Sequence, residues 1–109
     1  MTAAPDPKPL PPASPGPVDV AALLRAALAL HQGGRLDEAE EAYRRILAAQ
    51  PRHFDSLHLL GVICSQRGEH AAAVRQIDAA IAINPNVAAA HNNRGVALNA
   101  LGRSDDALA

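Results

Sequence analysis

The stretch FDSLHLLGVICSQRGEHAAAVRQIDAAIAINP, residues 54–85, decides the fold, because its landmarks return 34 residues away on either side. Gly68 answers Gly34 and Gly102, and Ala73 answers Ala39 and Ala107. Pro85 answers Pro51, Gly61 answers Gly95, and Leu57 stands between Leu23 and His91 at the same step. A period of this length, with Gly, Ala and Pro at fixed phases, marks a helix-turn-helix repeat that stacks into a solenoid. The fold class is therefore all-α, with two complete repeats and a truncated third.

Within the quoted stretch, Leu57, Leu60, Gly61 and Cys64 share one face of a helix predicted over residues 54–67. Ala73, Ile77, Ala80 and Ile81 share one face of a second helix over residues 70–83. Gly68 stops the first, and Pro85 disfavours helical geometry at Asn84 and closes the second. The grammar repeats upstream. Asp19 caps a helix from Val20 to Gln32 that carries Leu23, Ala26, Ala27 and Leu30 and ends at Gly33-Gly34. A partner from Leu36 to Ala49 carries Leu36, Ala39, Tyr43, Ile46 and Leu47 and ends before Pro51. Downstream, a unit opening at Ala88 carries His91, Gly95 and Leu98 and is expected to turn at Gly102. Ser104 would then cap a further helix, with Asp105 and Asp106 in its first turn. The repeat domain thus spans residues 18–109, as units 20–53, 54–87 and a truncated 88–109.

Residues 1–17 hold seven of the nine prolines. Proline fixes φ and lacks an amide donor, so this stretch reads as a disordered, solvated leader. Pro9 and Pro12 frame a P-x-x-P spacing within it.

Composition excludes several classes of function. The net charge is -1, and acidic and basic residues are interspersed along the helices. A nucleic-acid binder would show a basic stripe, and Tyr43 and Phe54 alone are too few aromatics for base stacking. No segment resembles a signal peptide or a membrane span, so a cytoplasmic location is the default expectation. Cys64 is the lone cysteine and falls at an apolar helical phase, as a small buried hydrophobe would. His53 and His58 lie on different helix faces, and neither His31, His70 nor His91 joins them in a metal-ligand spacing. The run Asp37, Glu38, Glu40, Glu41 opens a helix, where it suits the dipole and solvates an outer face. No phosphate loop or nucleophile elbow is present. The segment is expected to hold no cofactor, no metal and no catalytic centre. Nine arginines to one lysine, amid abundant alanine, is a composition typical of GC-rich bacterial genes.

The phases resemble those of the tetratricopeptide repeat. One of that family's small-residue phases is occupied by Ala27, Gly61 and Gly95, and another by Ala39, Ala73 and Ala107. Its aromatic phase holds Tyr43 and then Ile77, with Gly34, Gly68 and Gly102 at the turn and Pro51 and Pro85 at the unit's end. Two departures stand out: Ile46 is larger than the family's usual alanine, and Arg94 occupies a commonly apolar phase. Small residues let paired helices approach while larger ones interlock around them, which supports the match independently. LHLLGVICSQRGEHAAAVRQIDAAIAINP and AAAHNNRGVALNALGRSDDALA also look like bacterial arrays that precede catalytic domains, as in O-linked N-acetylglucosamine transferase-like (SPINDLY-type) glycosyltransferases.

The resemblance implies a protein-interaction module whose first helices line a concave groove for a peptide or partner helix. By phase that groove holds Leu24, Leu28, His58, Val62, Asn92, Asn93 and Val96, with Ala21, Asp55 and Ala89 beside them. Family members that clamp a terminal carboxylate use basic residues at phases that here hold Leu24, Leu28, Leu59, Ala89 and Asn93, so such a clamp is not expected. In the glycosyltransferase arrays, groove asparagines hold substrate backbones, and Asn92 and Asn93 match that habit. The expected partner is a protein or peptide, not nucleic acid, membrane or metal.

Overall fold

A computed structural model describes residues 19–108, as five helices with no strand among them. They are α1 (Val20–Gln32), α2 (Leu36–Ala49), α3 (Phe54–Gln66), α4 (His70–Ile83) and α5 (Ala88–Leu108). α1 pairs with α2 and α3 with α4, α2 hands over to α3, and α5 docks on α4. The proline-rich leader, with Pro9 and Pro12, lies outside the described residues.

Local chemistry sets most boundaries. The Asp19 carboxylate accepts from the Ala22 amide at 3.0 Å and caps α1. Gly34 and Gly68 both adopt φ +80, the left-handed conformation that an L side chain resists. Around each, the chain closes the same motif: the Arg35 amide reaches the Leu30 carbonyl at 2.9 Å, and Glu69 reaches Cys64 at 2.8 Å. α3 is capped by a residue whose sequence carries no capping signal. His53 Nδ1 accepts from the Ser56 amide at 3.2 Å and lies 2.9 Å from the Ser56 hydroxyl.

The core follows the repeat. Ala27, Ala39, Tyr43, Ile46, Leu60 and Ile63 are buried in one cluster, with Leu23, Leu24, Leu30 and Leu36 packed around it. Ile46 is fully buried, so its extra volume over the family's alanine is absorbed at the α1–α2–α3 junction. Ala73, Ile77 and Ala80 continue the core into the second unit. Gly61 marks the closest approach: a Cβ there would stand 2.5 Å from Ile77 Cγ1 and 3.2 Å from the Ala73 carbonyl oxygen.

The third unit departs from expectation. No turn forms at Gly102; α5 continues as a single helix of 21 residues, so no further helix opens at Ser104 and Ala107 falls in its last turns. A glycine permits the left-handed turn without compelling it. At Gly34 and Gly68 the turn is stabilised because α2 and α4 then bury Tyr43 and Ile77. After Gly102, continued helix satisfies the backbone instead. Gly95, expected to pack, consequently has nothing within 4 Å of its Cβ position and is exposed.

The charged residues tie units together. Arg67, at the end of α3, pairs with Glu40 at 2.5 Å and also with Asp37, both on α2. The acidic run is therefore more than a solvated outer face: two of its members hold the joint between the first and second units. The Arg67 guanidinium, with Arg44 behind it, holds the Glu40 carboxyl below its usual range. Arg94 at its apolar phase pairs with Asp78 on α4.

Candidate peptide groove

The first helices of the three units, α1, α3 and α5, form one side of the stack, and the sequence-derived groove residues distribute unevenly along it. Leu24 and Leu28 on α1 are half-buried, and Leu24 packs on the core. On α3, His58 is buried at 9% exposure and Val62 is half-buried. On α5, Asn92 is exposed, Asn93 half-buried, and Val96 exposed at 57% despite being a large aliphatic. Ala21, Asp55 and Ala89 are exposed.

The structure brings three of these residues around a single opening. Between α3 and α5 lies a cavity of about 170 Å³ lined by Val62, Ser65, Gln66, Asn93 and Val96. Leu24 and Leu28 are not part of it. Ser65 and Gln66 escaped the reading of the sequence because they fall one turn beyond the phases that carry the repeat.

Two imidazole–carboxamide bonds fix the walls. Asn93 Nδ2 donates to His58 Nε2 at 2.9 Å, joining α5 to α3. His31 Nε2 lies 2.8 Å from Gln66 Oε1, joining α1 to α3, and its Nδ1 lies 3.2 Å from the Tyr43 hydroxyl. Both bonds span 35 residues, the repeat step plus one. That shared step is the signal a sequence reading could have used, since successive first helices face each other with a one-residue offset. Burial holds the His58 imidazole below its ordinary range, only partly countered by Asp55, which keeps Nε2 available as an acceptor. Burial, with Asp55 adding to it, pushes the Tyr43 hydroxyl up to about 12.

The repeat-defining residues separate into two groups. Ala27, Ala39, Tyr43, Gly61 and Ala73 are buried, whereas Gly34, Pro51, Gly68 and Pro85 are exposed at turns. Gly95 and Gly102 sit on the open side of α5. Cys64 and the His53–Ser56 pair have structural explanations. Burial raises the Cys64 thiol, which disfavours the nucleophilic thiolate. Ser56, beside His53, is fully buried, so the pair serves the α3 cap. Among the described residues no three His, Cys, Asp or Glu side chains gather as a metal site, and no helix is long and apolar enough to cross a membrane.

Solved structures share this arrangement. The MamA protein superposes with a TM-score of 0.72 at 25% identity, covering 82% of this chain and 49% of its own. MamA MSR-1 gives 0.68 at 29% identity over 83% of this chain and 52% of that one. This chain thus spans about half the length of those MamA chains. The first TPR of Spaghetti (RPAP3), bound to the HSP90 peptide SRMEEVD, gives 0.73 at 23% identity over 81% and 70% of the two chains. No curated protein sequence matches this one. The sequence profile of the tetratricopeptide repeat matches residues 13–54 and 59–109, nearly the whole length. With paired helices in a 34-residue register turning on Gly34 and Gly68, the chain belongs to the tetratricopeptide repeat family.

Proposed function

We propose that this chain is a protein-interaction module that takes a peptide or a partner helix along the face formed by α1, α3 and α5. The observation that carries the reading is Val96: a large aliphatic, 57% exposed, at the mouth of a cavity whose rim is carboxamide. Exposed apolar surface beside preset hydrogen-bonding groups is the make-up of a binding surface. The Spaghetti domain, of the same fold, holds the acidic peptide SRMEEVD. In this chain the phases that would clamp such a tail hold Leu24, Leu28, Leu59, Ala89 and Asn93, which supports a neutral ligand instead.

An array of random dodecapeptides, probed with the chain and with Val96→Asp, tests this. Peptides should bind the native chain, lose binding to Val96→Asp, and keep it with Ala79→Asp on the exposed face of α4. Binding that ignores Val96 but responds to Ala79 would move the site to the other side of the stack.

A second reading makes the chain the substrate-guiding array of an O-linked N-acetylglucosamine transferase-like glycosyltransferase. Asn92 favours it, since it is exposed on the groove side of α5; Asn93 is engaged with His58. Reading the coding sequence past Ala109 tests it. Several hundred further residues with a nucleotide-sugar-binding domain would support this reading, and a stop within one or two helices would remove it.

A further inference from the structure

The cavity between α3 and α5 has dimensions that select its occupant. At about 170 Å³ it is smaller than the roughly 300–1,000 Å³ of small-molecule sites. It is close to the ~150 Å³ cavity that admits a benzene ring. That is room for one side chain. Val62 and Val96 give it aliphatic walls, and its lining carries no charged residue. The ion pairs of Arg44, Arg67 and Arg94 instead engage Glu40, Asp37 and Asp78 on α2 and α4. A charged side chain entering the notch would lose hydration and meet no counter-charge.

The rim is set by the two imidazole links, in opposite senses. With the Tyr43 hydroxyl donating to His31 Nδ1, the imidazole proton sits on Nε2 and is given to Gln66 Oε1. Gln66 therefore has its carbonyl engaged and its NH₂ left to donate. Asn93 uses its NH₂ on His58 Nε2, which leaves its carbonyl to accept. One donor on α3 and one acceptor on α5 thus belong to the lining of the same aliphatic notch. This matches the C=O and N–H that flank a single residue of an extended chain.

Resting on the groove reading above, we infer that the α3–α5 notch is a socket for one Leu, Ile or Met side chain of an uncharged, extended partner segment. Its neighbouring carbonyl accepts from Gln66 and its neighbouring amide donates to Asn93. The probes are two acetylated, amidated pentapeptides of serine and glycine around a central residue, leucine in one and aspartate in the other. Each is titrated into the labelled chain and followed by amide chemical shifts.

The leucine peptide should give saturable shifts centred on Val62, Ser65, Gln66, Asn93 and Val96, and the aspartate peptide should not. Val96→Asp should abolish these shifts. Gln66→Glu, which keeps an acceptor for His31 but removes the donor, should weaken binding by about tenfold, with helicity unchanged in both variants. Equal shifts from the aspartate peptide would overturn the socket's chemistry and leave the groove standing. Leucine-peptide shifts on the outer faces of α2 and α4 would overturn both. No shifts with either peptide, while array peptides still require Val96, would overturn the socket alone.

Discussion

The second and third units carry the same glycines at the same phases and use them differently. Gly68 turns at φ +80, whereas Gly102 is absorbed into α5. Gly61 is so tightly packed that a Cβ would meet Ile77 at 2.5 Å, whereas Gly95 faces nothing within 4 Å. The difference is α4. Once a second helix of adequate length follows the turn, its small residue at Ala73 permits close approach and its large residue at Ile77 fills the notch. A repeat glycine is thus an allowance, and packing by the next helix determines whether it is used.

The largest way to break the second unit is Ala73→Asp. Ala73 is fully buried with its carbonyl against Gly61, so the change adds volume and an unpaired charge. We expect a loss of about 3 kcal/mol or more in urea denaturation. A change below about half a kcal/mol would place Ala73 at the surface and break the register.

The comparison can also be run in reverse by supplying the third unit with a second helix like α4. Grafting the α4 sequence, residues 70–83, after Arg103 should bend the chain at Gly102 and raise the thermal midpoint by roughly 5 °C or more. An unchanged midpoint by circular dichroism would mean that the cooperative core already ends at α5.

Alanine substitutions sharpen the contrast because they should differ in sign. Gly61→Ala is expected to cost roughly 1–3 kcal/mol, since Ile77 is fully enclosed and the Ala73 backbone lies beside it. Gly95→Ala should stabilise by about 0.5–1 kcal/mol, by restricting the unfolded chain within an open helical site. In the grafted chain the Gly95 benefit should vanish. Paired urea melts showing the same sign at both positions would refute the asymmetry.

The smallest effect concerns the α3–α5 joint. Burial holds the His58 imidazole neutral, below the ordinary value of 6.5, so the unfolded chain takes up its proton first on acidification. Stability is therefore full above that value and declines as pH falls through it towards the lowered folded value. His58→Gln should flatten this dependence as pH falls below the ordinary imidazole value of about 6.5. A slope unchanged by the substitution would assign the titration to other groups.

Much of the fold was legible because the repeat writes its boundaries in backbone chemistry. Asp19, Gly34, Gly68, Pro51 and Pro85 act on residues beside them, and their effects do not wait for distant contacts. The buried phases of Ala27, Ala39, Tyr43 and Ala73 were legible for a related reason: a helical stripe repeated at a fixed step has one consistent inward face. Less of the groove could be read. Of the residues proposed for the groove, Val62, Asn93 and Val96 border the α3–α5 opening, Leu24 and Leu28 do not, and Ser65 and Gln66 join it from phases the repeat does not mark. Arg67 gave no sign of choosing Glu40 and Asp37, because long side chains select partners across a joint whose geometry no local pattern encodes.

The sequence by itself determined the helical hairpins, their register and the family, since periodicity and turn residues are local and repeat. Only the tertiary structure decided that Gly102 would not turn, that His31 and His58 would fix Gln66 and Asn93, and that Val96 would border an uncharged notch. Those outcomes depend on which helix lies opposite, and on whether burying a side chain there outweighs leaving the backbone in a continuous helix.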